Sequence, residues 1–150
     1  VIVGSEIVIN EVESSGGSPG DWVELLNVGT STINVGGWVF RDNDNSHTYT
    51  IASGINIPVG GYLVLNEAQF GFGLGASDSA RLFNASATLI DAYSWTTAAS
   101  TTYGRCPDGT GALTTTLAST KGRSESVRTH HGGVARELHR RYQRREQRVR

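Results

Sequence analysis

Residues 21–51, DWVELLNVGTSTINVGGWVFRDNDNSHTYTI, leave room for little besides antiparallel strands. Val23 and Leu25 alternate with Glu24 and Leu26, and Asn27-Val28-Gly29-Thr30 then supplies a turn. Ile33 and Val35 open a second run, which Gly36-Gly37 interrupts and Trp38-Val39-Phe40 resumes. The acidic loop Asp42-Asn43-Asp44-Asn45 precedes a third run that ends at Ile51. Short β-branched and aromatic runs bounded by Gly, Asn and Asp are the pattern of strands joined by turns. Trp38, with apolar neighbours in a central strand, is the expected centre of the core.

The rest of the chain repeats this texture. EIVINEVE (6–13) alternates, with Ile7, Ile9 and Val12 facing inward and Glu6, Val8 and Asn10 outward. Its phase switches at Asn10-Glu11, which predicts a bulge or a strand end. SSGGSPG (14–20) is a loop of turn formers. Ile55-Asn56-Ile57 and Tyr62-Leu63-Val64-Leu65 flank the turn Pro58-Val59-Gly60-Gly61, where proline and glycine meet the demands of a tight turn. Residues 66–79 are a glycine-rich excursion with Phe70, Phe72 and Leu74 at alternate positions. Residues 81–84 and 88–94 predict a hairpin across 85–87, and 101–106 a last strand closed by PDGTG (107–111). Residues 112–120 read as extended or linker. The expectation is an all-β, two-sheet sandwich of about eight to ten short antiparallel strands, with no helix before residue 120.

Length and charge set the organisation. A chain of 150 residues suits one domain with a real core. Residues 1–120 carry three basic residues (Arg41, Arg81, Arg105) against eleven acidic ones, while 121–150 carry ten basic against three acidic. That split predicts a sandwich over 1–120 and an Arg-rich tail over 121–150, disordered or a short helix on Val134, Leu138 and Tyr142. No apolar run approaches the roughly eighteen residues of a membrane span. The chain lacks methionine and a signal-peptide pattern, and so reads as a mature fragment. Cys106, without a second cysteine, forms no internal disulfide and lacks zinc partners; it reads as a packed thiol.

The body resembles the lamin tail domain, an immunoglobulin-like module, in its secreted bacterial branch. The residues that carry the resemblance are INEVE (9–13), DWVELLNVG (21–29), GGWVFRDNDNSHTYTI (36–51), IPVGGYLVL (57–65), LGASDSARLFNASATLIDAYSW (74–95) and TTYGRCPDGTG (101–111). Together they cover about residues 5–120, in the family's order. The resemblance implies an immunoglobulin-like β-sandwich used extracellularly for binding or adhesion, and in bacteria often attached to hydrolases, nucleases or surface proteins. It ends near Lys121-Gly122. The arginine-rich text beyond is either a shifted reading frame or a genuine basic tail.

Candidate sites are few. Asp42 and Asp44 begin like a calcium loop, but the sixth and twelfth positions are His47 and Ser53 in place of Gly and Glu, so the alternative is a turn. Glu67 or Asp78 would have to complete a looser calcium site. Glu11, Glu13, Asp21 and Glu24 form a second acidic cluster, expected on a solvated sheet face in the absence of a cleft. Asp91 with Tyr93, and Arg105 with Asp108, are expected to stitch loops. Trp95 is the aromatic most expected to contact a ligand such as a sugar ring, the remaining Trp and Tyr residues being core. His130, His131 and His139 lack the spacing of a metal site. Arg136, Arg140, Arg141, Arg144 and Arg145 would hold nucleic acid or another polyanion by counterion release. Asn84-Ala85-Ser86 matches a glycosylation sequon.

These readings favour a noncatalytic, extracellular binding or structural module that engages a protein or surface polymer, or spaces an attached domain. No cofactor other than calcium is suggested, and an exposed edge strand would allow self-association. The alternatives are an accessory domain of a secreted metal-dependent nuclease or phosphoesterase, and nonspecific nucleic-acid binding through the tail.

Overall fold

The computed structural model describes residues 6–123. In chain order the elements are β1 (Ile7–Glu13), β2 (Trp22–Asn27), β3 (Ile33–Asn34), β4 (Val39–Arg41), β5 (Tyr49–Thr50), β6 (Asn56–Ile57), β7 (Tyr62–Asn66), α1 (Glu67–Phe70), β8 (Asp78–Phe83), β9 (Leu89–Trp95), β10 (Tyr103–Arg105) and β11 (Leu113–Thr115). The five-stranded sheet runs β11-β10-β1-β2-β7, the four-stranded sheet β5-β4-β8-β9, and β3-β6 form a small ribbon. Every pairing is antiparallel. This is the immunoglobulin-like all-β sandwich that the sequence predicts. The strand number exceeds the expected range because β3, β5 and β6 are two residues each.

The core lies between the two large sheets. Ile9, Val12, Val23, Leu25 and Leu65 of one face meet Phe40, Ala80, Leu82 and Trp95 of the other. Phe40 is the centre: it is fully buried and stands against Phe70 and Phe72 at 5.1 and 5.8 Å between ring centroids. Trp38, expected in that role, is only half buried. It precedes β4, its N–H bonded to Val35 O and its carbonyl accepting from Ile51, so the alternation that points inward reaches full burial two residues later.

The hairpin of β8 and β9 and the bulge between Ile9 and Glu11 agree with the sequence. The strands around the 58–61 turn do not pair with each other: β6 joins β3, and β7 joins β2. The glycine-rich excursion contains the one-turn helix α1, where the sequence predicts no helix. Gln69 closes it by accepting from the Asn66 N–H, and Gly71, at φ 78°, ends it in the left-handed region. This turn delivers Phe70 and Leu74 into the core.

The outer face of the five-stranded sheet is covered. Val8, Asn10, Glu11, Glu24 and Leu26 are buried there, although alternation predicts solvent for this face. Two segments cover it. In the loop after β10, Gly109 approaches so closely that a Cβ would stand 2.3 Å from Val28 Cγ1 and 3.2 Å from Leu26 Cδ2. Residues 116–123, after β11, lie across Glu11, Glu24 and Trp22. The 112–120 stretch is therefore a strand and a docked strap. Among the described residues the edge strands of the two large sheets are β7, β11, β5 and β9, of which β9 is seven residues long.

Candidate functional site

Two places concentrate chemistry. The first is a recess of about 350 Å³ lined by Tyr93, Ser94, Trp95, Thr96, Thr97 and Tyr103. Alternation along β9 turns Tyr93 and Trp95 to the same side, and β10 brings Tyr103 against them. Ring centroids are 5.9 Å apart for Tyr93–Trp95, 5.2 Å for Tyr93–Tyr103 and 6.0 Å for Trp95–Tyr103. Trp95 is 6 % exposed, and its Nε1–H donates to Gly75 O at 2.9 Å. The tryptophan singled out from sequence is thus the pinned back wall. The half-buried Tyr93 and Tyr103 offer the accessible ring surface, which sequence reasoning had assigned to the core. The Tyr103 hydroxyl donates to Thr97 O and fixes the rim. Burial, and then the neighbouring Tyr103, push the Tyr93 phenol above its ordinary range. Flat aromatic surface edged by Ser and Thr hydroxyls suits a ring with one apolar face and a polar edge.

The second place is a carboxylate pair under the strap. Glu11 and Glu24 are cross-strand partners, both fully buried. Glu11 accepts from Thr102 Oγ1 at 2.6 Å, Thr120 N at 3.0 Å and Thr120 Oγ1 at 2.8 Å. Glu24 accepts from Asn10 Nδ2 at 2.9 Å and Gly122 N at 2.5 Å. Asp108 adjoins them, accepting from Asn10 Nδ2 at 3.3 Å and from the Tyr62 hydroxyl at 2.5 Å. Burial, reinforced by the charges of Glu11 and Asp108, pushes the Glu24 carboxyl up to about 7 against the hydrogen bonds that oppose it. A carboxyl titrating near neutrality is often a catalytic acid or base. This one is sealed from solvent by the chain's own strap, and its oxygens are held by Asn10 and Gly122. The expectation of a solvated acidic face fails here, because the cover comes from residues 91 to 109 positions away along the chain. The other two acidic residues separate from this pair. Asp21 ties the 14–20 loop to the excursion through Leu74 N at 2.7 Å and Gly17 N at 3.3 Å. Burial and the charge of Asp21 raise the Glu13 carboxyl.

The acidic loop is built as turns. Asp42 Oδ1 accepts from Asp44 N at 2.8 Å, and its Oδ2 contacts His47 Nδ1 at 2.7 Å. Asp44 Oδ1 accepts from the N–H and hydroxyl of Ser46, both at 2.7 Å. The His47 imidazole, raised above its ordinary value chiefly by the Asp42 contact, stacks on Phe72 at 5.1 Å. Of the residues suggested to complete a calcium site, Asp78 accepts from Asn43, Gly75 and Ser79 N–H groups, and Glu67 from Asp21 N. No group of three or more His, Cys, Asp or Glu is arranged to hold a metal among the described residues. Because each of these four carboxylates already accepts from a backbone N–H, chelation with EDTA is expected to leave the thermal midpoint unchanged; a fall in Tm restored by calcium would contradict this turn assignment.

The expected partners of Asp91 and Arg105 are exchanged. Asp91 pairs with Arg105 at 3.2 Å, and Asp108 with Tyr62 and Asn10. Asn84 of the sequon uses Oδ1 to accept from Ser86 N and Thr88 N, which shapes the hairpin turn. Arg136, Arg140, Arg141, Arg144 and Arg145, with His130, His131 and His139, lie outside the described residues. Among the described residues no helix is long and apolar enough to cross a membrane.

The family model described as Lamin Tail Domain matches residues 3–97. That range holds β1 to β9, the Glu11–Glu24 pair and Trp95; Tyr103, Arg105 and the strap lie beyond it. No match to a curated protein was found. Matched over more than half its length, and folded as the sandwich that the family's motifs imply, the chain belongs to the lamin tail domain family.

Proposed function

We propose that this chain is a noncatalytic, extracellular interaction module that binds a surface polymer through the recess of Tyr93, Trp95 and Tyr103. The observation that carries this reading is the open aromatic recess with its Ser and Thr rim. Rigid aromatic rings give large contact area at little entropic cost, and they stack on the apolar faces of sugar rings. Membership of a noncatalytic family and the internal commitment of the Glu11–Glu24 pair support binding over catalysis.

The test is calorimetric titration of the full chain with neutral hexasaccharides of β-linked glucose, N-acetylglucosamine and xylose. Saturable binding to at least one is expected. In Tyr93→Ala the affinity is expected to fall at least about tenfold, as for truncation of a central aromatic contact, while Tm stays within a few degrees. Absence of binding to all three, or binding unchanged in Tyr93→Ala, would overturn the reading.

A further inference from the structure

Arg41 of β4 and Arg81 of β8 stand directly opposite each other across the ladder. Both guanidinium carbons lie over the Phe83 ring, at 5.2 and 5.8 Å from its centroid. Like charges directly opposite on an antiparallel pair repel, so this arrangement needs a compensating interaction. Stacking on Phe83 supplies part of it. The Arg81 Nε–H donates to Asp42 O at 2.6 Å, which fixes that guanidinium. Arg41 Nε and Arg81 Nη2 are buried without an acceptor among the described residues, and such donors carry an unmet desolvation penalty.

The pair also stands without a carboxylate partner, among the described residues, on an acidic body. Residues 1–120 contain three basic residues against eleven acidic, and the third, Arg105, is paired with Asp91. Neither Arg41 nor Arg81 lies within ion-pair distance of a carboxylate among the described residues. Arg81 does act on Asp44 at longer range. The Asp44 carboxyl is held below the ordinary range mainly by the Ser46 hydrogen bonds, with Arg81 a minor contributor.

We propose that Arg41 and Arg81, side by side over Phe83, bind a single carboxylate carried next to an apolar side chain on an otherwise uncharged segment of a partner protein. Planar guanidinium forks match a carboxylate. Phe83 and its exposed cross-strand neighbour Leu89 provide the apolar flank. A polyanion is disfavoured, because beyond this pair it would run over the acidic body. The site is independent of the aromatic recess and extends the module's reach from sugar to protein.

The test follows the arginine Nε–H resonances of the full chain by NMR. The probe is acetyl-Glu-Leu-amide, compared with acetyl-Gln-Leu-amide, glucuronate and inorganic phosphate. Saturable shifts at Arg41 and Arg81 but not Arg105 are expected with the Glu peptide. Affinity is expected to be at least tenfold weaker with the Gln peptide and in Arg41→Gln. Arg41→Lys keeps the charge without the fork, so it serves if Arg41→Gln fails to fold, and it too is expected to bind several-fold more weakly. Equal shifts from the Gln peptide, or full affinity in Arg41→Lys, would overturn the proposal. So would glucuronate or phosphate binding as tightly as the peptide.

Discussion

Replacement of Arg105 by methionine is expected to lower the unfolding free energy by about 3–5 kcal/mol, the usual cost of removing one partner from a buried ion pair. Arg105 joins three parts of the sandwich. Its Nε donates to Ile9 O at 2.8 Å, Nη1 to Gly111 O at 2.7 Å and Nη2 to Asp91 at 3.2 Å. Asp91, its side chain 1 % exposed, in turn accepts from Ile9 N at 2.8 Å. The pair thus satisfies Ile9 on both its N–H and its carbonyl, at the point where the β1 bulge begins. Without Arg105 the Asp91 charge is left buried and two carbonyls lose their donor. The double variant Asp91→Asn with Arg105→Met removes the stranded charge and is expected to recover part of the loss. Urea denaturation at pH 7 measures both. A loss below about 1 kcal/mol for Arg105→Met would place the pair among solvent-screened surface bridges.

The second large effect is on pH dependence. Glu24 titrates at about 7 in the folded chain against an ordinary value of 4.5. Between those values the folded state keeps a proton that the unfolded chain has released. The group therefore costs nothing below about pH 4.5, and stability falls as pH rises through 7, by roughly 3 kcal/mol in total. His47, raised by Asp42, acts in the same sense: its contribution is present below 6.5 and lost as pH rises through its folded value. Glu24→Gln removes the Glu24 slope. The variant is expected to be more stable than the parent at pH 8 and no more stable at pH 4.5, so the two urea midpoints cross. Parallel curves for parent and variant from pH 4.5 to 8 would show that Glu24 titrates normally.

The strands were legible because their signals are local. Alternation in 6–13, 22–27 and 81–94, with turn residues between, leaves few other structures for those segments. The phase switch at Asn10-Glu11 marked the bulge for the same reason. What covers a sheet face is not a local property. Glu11 and Glu24 alternate with core residues and so belong on the outer face; nothing near them in the chain announces that Thr102, Thr120 and Gly122 will bury them. The signal that existed was the run of Thr and Ser in 112–120, hydroxyl donors suited to buried acceptors. The recess was half legible: Trp95 was found as an aromatic of unusual context, but the ring surface comes from Tyr93 and Tyr103, joined across two sheets. Apolar neighbours mark Trp38 as a core centre but do not show where the strand enters the sandwich; Phe40, two residues further into the strand, occupies the centre.

The strap seals Glu11 and Glu24 into the fold, making them structural acceptors instead of a reactive pair. Amide hydrogen exchange at Thr120 and Gly122 in the full chain tests it most directly, because these two N–H groups donate to Glu11 and Glu24. Protection comparable to that of the β1–β2 ladder is expected, weakening as pH rises past 7 and the Glu24 carboxyl ionises. Exchange of both amides at the rate of an unstructured peptide would contradict it, and would return Glu24 to the surface as a carboxyl open to substrate.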